Sequence, residues 1–187
     1  MKKNSILKMG LILLAICAVA GLLLGIIYES TKDIIAEKKE SVNQAAYRKV
    51  LPEAEDMTRL EVPESESSEV LEVYESDAGY AIKIMAKGYA GDDLEMAVGI
   101  DHEGIVTGVC IISHGETPGL GAKATEAEFL DQYKGKSTAE PLTVTKTGAA
   151  ADTEIDAITG ATKTSNGVTA GVNRAFAYYN DFLKGAK

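Results

Sequence analysis

The feature that most constrains this chain is an uncharged apolar run near its start. Met9–Tyr28 contains 20 residues and no Asp, Glu, Lys or Arg. As a helix, a run of this length matches a bilayer hydrocarbon core of about 30 Å. Ala18-Val-Ala20 resembles a signal-peptidase site, but apolar residues continue beyond it to Ile27. We therefore predict an uncleaved transmembrane helix at 9–28 rather than a removed signal peptide.

The charges that flank this run predict its orientation. Lys2, Lys3 and Lys8 precede it, and Glu29 follows it. Because basic residues are enriched on the cytoplasmic side of membrane spans, we predict a cytoplasmic N-terminus at residues 1–8. The chain is then a single-pass protein of the cell membrane whose folded part is extracytoplasmic.

Composition excludes several classes of function. Without those three lysines, 16 Lys and Arg residues remain against 28 Asp and Glu residues, a net charge of −12. A nucleic-acid-binding protein needs a basic surface, so we predict no nucleic-acid partner. The two cysteines, Cys17 and Cys110, lie in the apolar run and in a predicted strand, and there are only two histidines. We predict no disulfide, no iron–sulfur cluster and no metal site.

Two segments connect the anchor to the folded domain and together occupy residues 29–69. Ser30–Leu51 carries apolar residues on one helical face and is followed by Pro52, which predicts a linking helix. Glu53–Glu69 is acidic and poor in apolar residues, which predicts a loop or a poorly ordered connection.

The remaining residues, 70–187, have the pattern of an α+β domain. Short segments rich in Val, Ile and Tyr alternate with turn residues, and they are Val70–Tyr74, Tyr80–Ala86, Leu94–Ile100 and Ile105–Ser113. This spacing predicts a mainly antiparallel sheet. The spacing of apolar residues in Glu126–Tyr133 predicts a short helix that packs on the sheet. We predict additional strand structure at Leu142–Thr147 and Ala149–Asp152.

The last helix follows a turn of small residues, Asp156-Ala-Ile-Thr159-Gly-Ala-Thr162. Apolar residues recur at helical spacing from Val168 to Leu183, and Thr164 or Ser165 is the predicted N-cap. A helix start offers unpaired N–H groups and a partial positive charge, which suits a phosphate group. Taken alone, these threonines are better explained as residues that cap a helix and close a turn than as ligands. We interpret Asp156 as part of the turn or of a recognition sequence rather than as a ligand.

A second segment, His114–Gly121, has the pattern of a ligand-binding loop. Thr117 precedes Pro118 and is biased to extended geometry, while two glycines permit close backbone approach. Leu120 can contact a planar ring, and Glu116 or Thr117 can address its polar edge. We predict no catalytic residue, because no nucleophile or orienting group accompanies His114 and Glu116.

Together the two motifs resemble those of a family in which a flavin transferase esterifies FMN to the last threonine of the first motif, here Thr162. The resemblance spans about Gly79 to Leu183. The anchor and the order of segments are also similar to the G subunit of Rnf-type ion-translocating electron transport complexes. The resemblance implies covalent FMN and the cofactor-binding residues Thr159, Gly160, Ala161, Thr162, Lys163, Thr164, His114, Glu116, Thr117, Pro118, Gly119, Leu120 and Gly121.

The resemblance also implies a function. The chain would be an electron-relay flavoprotein subunit of a membrane-bound ferredoxin:NAD⁺ oxidoreductase, a translocase that moves Na⁺ or H⁺, and would not be catalytic alone. Its partners would be the other membrane and peripheral subunits of the complex and, during maturation, the flavin transferase. Three alternatives remain open. They are the C subunit of a sodium-translocating NADH:quinone reductase, a non-redox anchored binding domain, and an isolated extracytoplasmic flavoprotein reductase.

Overall fold

The computed structural model describes residues 3–66, 69–89, 91 and 93–185, with side chains from residue 7 onward. These residues belong to two compact units, Met1–Val42 and Asn43–Lys187. Helix α1 (Lys3–Val50) begins in the first unit, where its large apolar side chains from Leu7 to Tyr28 are all at least 51% exposed. It is the one helix in the described part of the chain that is long and apolar enough to cross a membrane.

The predicted anchor and the predicted linking helix form one continuous helix, since α1 ends at Val50 without an earlier break. No glycine–proline pair or turn sequence separates Tyr28 from Ser30, so the backbone hydrogen bonds continue through both segments. Lys2 and the side chain of Lys3, on which the predicted orientation partly depends, lie outside the described residues.

The second unit is built on a five-stranded antiparallel sheet in the order β1-β2-β3-β4-β5. The strands are β1 (Thr58–Leu60), β2 (Val70–Ser76), β3 (Gly79–Lys87), β4 (Asp93–Ile100) and β5 (Val106–Ser113). The four predicted strands correspond to β2–β5, which confirms the antiparallel sheet. Strand β1 lies within the segment predicted as a loop. Its residues are half-buried or exposed and become a strand by pairing with β2, as in Leu60 opposite Val73.

The rest of the unit alternates short helical and extended pieces. They are a 3₁₀ turn (Gly121–Thr125), α2 (Ala127–Leu130) with a second 3₁₀ turn (Asp131–Tyr133), β6 (Thr143–Thr145), β7 (Glu154–Asp156), α3 (Thr162–Tyr178) and a final π-helical turn (Tyr179–Leu183). Strands β6 and β7 pair in parallel. These elements confirm the α+β class.

The predicted strand at Ala149–Asp152 is wrong, because this stretch turns before β7 begins at Glu154. The Glu154 carboxylate accepts hydrogen bonds from the N–H groups of Ala150 (2.8 Å) and Ala151 (3.2 Å), which curls the chain. The same two bonds hold the pKa of Glu154 below its ordinary value. A carboxylate that binds two preceding N–H groups competes with strand pairing at those positions.

Helix α3 packs on one face of the sheet and forms the larger core with it. Its buried side chains Val168, Val172, Ala175 and Phe176 belong to the same cluster as Ile82, Ile84, Met96 and Val98 of β3 and β4. A Cβ atom on Gly171 would lie 2.7 Å from Met96 Cε, so glycine lets the helix come close to the sheet. The predicted helical spacing from Val168 onward is confirmed.

The other face of the sheet packs against the last two turns of α1 in a smaller cluster that includes Tyr47, Val50, Tyr74 and Ala97. A lysine lies within this face. Lys83 of β3 is 1% exposed, its Nζ lies 2.9 Å from Glu95 Oε2 and 4.0 Å from Glu72 Oε1, and it donates to Asn43 Oδ1 at 3.2 Å. A buried cation thus ties α1 to the sheet.

Replacing Lys83 by methionine should lower the free energy of unfolding by about 3 kcal/mol, because two carboxylates would lose their cation in a largely dry site. The value lies at the low end for a broken buried pair, since Glu72 and Glu95 retain 19% and 18% side-chain exposure. Urea denaturation of the full chain in detergent micelles, followed by circular dichroism, measures the loss. The control is Lys87→Met on the same strand, where the lysine side chain is 67% exposed and a change below about 0.5 kcal/mol is expected. Equal losses for the two variants would contradict the prediction.

Candidate functional site

The small-residue turn leads directly into α3. Gly160 adopts a φ of +80°, and the Ala161 N–H donates to the Ile158 carbonyl at 2.9 Å, which closes the turn. Ala161 is therefore the N-cap, and the helix begins at Thr162. The predicted cap at Thr164 or Ser165 is wrong, because the closed turn places both residues inside the first helical turn.

Ser165 instead fastens the turn to the helix. Its hydroxyl accepts a hydrogen bond from the Ile158 N–H at 3.0 Å and donates to the Ala161 carbonyl at 3.1 Å. The side chain is fully buried. This pair of bonds fixes the position of the residues between Ile158 and the helix start.

The three threonine hydroxyls of the motif lie in different surroundings. Thr159 is exposed, Thr162 is half-buried, and Thr164 is 1% exposed. The Thr164 hydroxyl donates to Glu116 Oε2 at 2.7 Å. Thr162 lines a surface cleft, whereas Thr164 does not.

The His114–Gly121 loop reaches α3 through Glu116. Besides the Thr164 hydroxyl on Oε2, the carboxylate accepts the Tyr89 N–H on Oε1 at 2.8 Å. His114 Nδ1 accepts the Glu116 N–H at 3.2 Å, so the histidine helps to set the backbone of the loop. A Cβ atom on Gly121 would overlap Glu116 Oε2 and lie 2.8 Å from Thr164 Oγ1. The absence of a side chain at Gly121 makes room for this carboxylate.

The end of the loop lies beside the turn of the first motif. The Thr117 carbonyl accepts the N–H groups of Leu120 and Ala122, both at 3.2 Å, and Gly119 adopts a φ of +78°. Leu120 is 48% exposed, and its Cδ2 would lie 3.3 Å from a Cβ atom on Gly160. Thr117 and Pro118 are exposed. The structure thus brings the two predicted motifs together.

An open cleft of ≈ 500 Å³ surrounds the start of α3. It is lined by Tyr89, Lys146, Ala157, Ile158, Thr159, Gly160, Ala161, Thr162 and Lys163. Among the residues that the structure describes, the lining contains two lysines and no carboxylate, although the chain has a net charge of −9. The N-terminus of α3 adds its partial positive charge. An anionic ligand is therefore favoured here.

The cleft also has an apolar component. In the 43–187 unit, the large apolar side chains that are clearly exposed are Tyr89 (64%), Leu120 (48%) and Phe182 (43%), among the residues the structure describes. Of these three, Tyr89 lines the cleft and Leu120 lies beside Gly160. Lys163 Nζ lies 5.3 Å from the centroid of the Tyr89 ring. Tyr89 and Lys146 were not predicted as site residues. Neither belongs to a motif, and only the fold brings them to α3.

A second cavity, of ≈ 240 Å³, has the opposite charge. It contains Lys123 but also Glu126, Glu128 and Asp156, along with Thr159 and Gln132. The Gln132 side chain binds the backbone of Asp156 on both sides, accepting its N–H at 2.7 Å and donating to its carbonyl at 3.4 Å. Asp156 lines this cavity and not the cationic cleft.

Comparison with known proteins gives the class and then the family. Residues 88–177 match the FMN-binding domain, and residues 1–50 match the RnfG N-terminal region. The chain is 38% identical to the G subunit of the Na⁺-translocating ferredoxin:NAD⁺ oxidoreductase complex of Acetobacterium woodii, over 96% of this chain and 94% of that protein. It is 31% identical to the proton-translocating counterpart of Clostridium ljungdahlii, over 98% of this chain and 96% of that protein.

The chain therefore belongs to the family of G subunits of Rnf-type ion-translocating oxidoreductase complexes. With the apolar run of α1, it is a single-pass membrane protein with an FMN-binding domain.

A solved structure supports the fold. The crystal structure of the C subunit of the Na⁺-translocating NADH-quinone reductase from Parabacteroides distasonis matches with a TM-score of 0.52 and 26% identity, over 62% of this chain and 63% of that chain. The G-subunit relatives match at higher identity over nearly the whole chain. The quinone reductase alternative therefore fits less well.

The residues at the cleft fit the chemistry of FMN. A flavin needs an apolar wall for its ring system and donors for its phosphate. Tyr89 and Ile158 of the lining, with Leu120 beside Gly160, supply apolar surface. Lys146, Lys163 and the N–H groups at the start of α3 supply positive charge.

Proposed function

We propose that this chain is the electron-relay subunit of a membrane-bound ferredoxin:NAD⁺ oxidoreductase, in which electron transfer is coupled to Na⁺ or H⁺ translocation. It works with the other membrane and peripheral subunits of that complex and is not catalytic alone. The observation that carries the proposal is the cationic cleft at the start of α3. It lies inside the FMN-binding domain of this chain, which is similar to G subunits over nearly its whole length. Relatives named for either ion are similar to this chain over nearly its whole length, so both ions remain part of the proposal.

We further propose that FMN is attached covalently, as a phosphoester of Thr162. Of the three threonine hydroxyls, that of Thr164 is buried and bound to Glu116, and that of Thr159 precedes the helix start. Thr162 is the half-buried residue that combines a place in the cleft with the first position of α3. There, the helix N-terminus and Lys163 would offset the negative charge of a phosphodiester.

Attachment needs a separate enzyme. A threonine hydroxyl is a weak nucleophile, and the described residues that line the cleft include no carboxylate or histidine that could act as a base. We propose that a flavin transferase uses FAD. The Thr162 Oγ1–phosphorus bond forms, the pyrophosphate bond of FAD breaks, AMP leaves, and a base of the transferase takes the hydroxyl proton. Gly160 and Ala161 add little bulk beside Thr162, so the hydroxyl is accessible to such an enzyme.

Bound FMN supplies one-electron redox chemistry at this site. The chain's own residues fix its position. Lys146 and Lys163 provide positive charge, Tyr89 and Leu120 provide apolar contact, and Thr159, Gly160 and Ala161 shape the turn that approaches the phosphate. The loop that borders the ring system in this proposal contains His114, Thr117, Pro118, Gly119 and Gly121. Glu116 holds that loop to α3.

For topology, we propose a cytoplasmic N-terminus (residues 1–8), a transmembrane segment (9–28), a connection (29–69) and an extracytoplasmic FMN-binding domain (70–187). The basic charges before the apolar run and Glu29 after it support this orientation. Pairing of β1 with β2 supports a connection that is partly folded onto the domain.

The proposed function is tested by the intact mass of the full chain, purified in detergent from cells that contain a flavin transferase. We expect a species heavier by one FMN less one water, with the added mass on the peptide that contains Thr162. The partners that co-purify with the chain distinguish the Rnf-type complex from the NADH:quinone reductase. A chain of unmodified mass, isolated with its native complex, would refute covalent attachment.

A further inference from the structure

Glu116 is the residue whose role in the structure differs most from what its motif suggests. It lies in the loop expected to border the flavin, yet both of its carboxylate oxygens bind protein groups. Oε1 accepts the Tyr89 N–H at 2.8 Å and Oε2 accepts the Thr164 hydroxyl at 2.7 Å. One half-buried side chain thus joins three segments that are distant in the sequence.

The three segments are those that border the cleft. Tyr89 lies in its wall, Thr164 belongs to the turn of α3 that begins at Thr162, and Glu116 itself precedes Leu120. Hydrogen bonds to an ionised carboxylate are stronger than neutral ones. Gly121 leaves open the space that this carboxylate occupies, so the arrangement is accommodated by the neighbouring sequence.

The Glu116 contact also separates the two hydroxyls of the first helical turn. Thr164 is 1% exposed and donates its only hydroxyl proton to the carboxylate. A nucleophilic oxygen must be accessible and free to transfer its proton to a base. Thr164 meets neither condition, whereas Thr162 faces the cleft.

We propose that Glu116 is a positioning residue. Its carboxylate fastens the start of α3 to the 114–121 loop and to Tyr89 before flavin arrives, and it occupies the Thr164 hydroxyl so that Thr162 is the one presented for esterification. The second half of this inference rests on the proposed function. The first half concerns the chain without flavin.

The first test uses the full chain in detergent with Thr162→Ala as background, so that attached flavin does not affect the result. In this background Glu116→Ala should lower the Tm by about 6 °C and Thr164→Val by about 4 °C. Because the two residues share one hydrogen bond, the double variant should lose about 6 °C rather than about 10 °C. Additive losses would overturn the fastening role.

The second test measures the initial rate at which the chain with native Thr162 takes up FMN from FAD and a purified flavin transferase. Glu116→Ala should slow uptake about tenfold, because the acceptor hydroxyl is no longer held in place. Glu116→Gln should restore most of the rate, since its oxygen can accept the Tyr89 N–H while its amide donates to Thr164 Oγ1.

The matched control is Glu128→Ala, an exposed carboxylate of the neighbouring acidic cavity, which should take up FMN at the unmodified rate. Uptake by Glu116→Ala at that same rate would overturn the proposed effect on Thr162. If the parent chain takes up no FMN, the proposed function fails. The Tm cycle still decides whether Glu116 fastens the three segments.

Discussion

Replacing Thr162 by alanine is expected to leave the chain without covalent flavin. The phosphoester needs a side-chain oxygen at the start of α3, and neither neighbouring threonine can substitute. Thr164 is buried against Glu116, and Thr159 lies in the turn, three residues before the helix start at Thr162. Fluorescence of the denatured chain in a gel should fall below detection, and the intact mass should be that of the unmodified polypeptide.

Thr162→Ser tests whether the hydroxyl itself is what matters. Serine restores the oxygen at the same helix position, so part of the covalent flavin should return. By contrast, Thr159→Ala removes an exposed hydroxyl from the lining of the same cleft, and the chain should still carry FMN on Thr162. Thr164→Ala should still carry FMN, at a reduced level, with the modified peptide mapped to Thr162. If flavin fluorescence survives Thr162→Ala, FMN is attached to a residue other than Thr162.

The elements that could be predicted from the sequence are those whose pattern of apolar residues lies within the element itself. The alternation of residues in β2–β5 and the helical spacing after Val168 reflect which face is buried, so both the antiparallel sheet and the last helix were predicted. The start of α3 was misplaced, because the closed turn at Gly160 replaces a side-chain cap, and no residue type signals this. Strand β1 forms only by pairing with β2, a contact absent from its own sequence.

The site residues also fall into two groups, those within a short sequence motif and those that only the fold brings to the cleft. The two motifs carry their glycines and threonines in short, ordered segments and were recognised by resemblance. Tyr89 and Lys146 reach the cleft from outside both motifs, and no local pattern in the sequence marks either of them as a site residue. Lys83 could not be predicted as a buried cation either, because its burial depends on the end of α1 covering the sheet.

The second large effect is expected at Gly167 of α3, where alanine should destabilise the fold. A Cβ atom at this position would overlap the carbonyl oxygen of Lys87 and lie 3.2 Å from its carbonyl carbon. Both atoms are backbone, so no side chain can rotate away and α3 must shift from the end of β3. Overpacking of this kind costs about 3 kcal/mol. We expect the Tm of the full chain in detergent to fall by about 8 °C.

The sign of this change separates packing from helix propensity. In an exposed helix, replacing glycine by alanine stabilises by about 1 kcal/mol, so propensity alone predicts a higher Tm for Gly167→Ala. Asn166→Ala is the matched control, since this neighbour is exposed and gains propensity without a new contact, and its Tm should stay equal or rise slightly. Gly167→Ala should also reduce FMN uptake, because Lys87 is followed two residues later by Tyr89 in the wall of the cleft. If Gly167→Ala is as stable as the parent chain, the close approach of α3 to β3 does not exist, and the position of Tyr89 beside Thr162 loses its support.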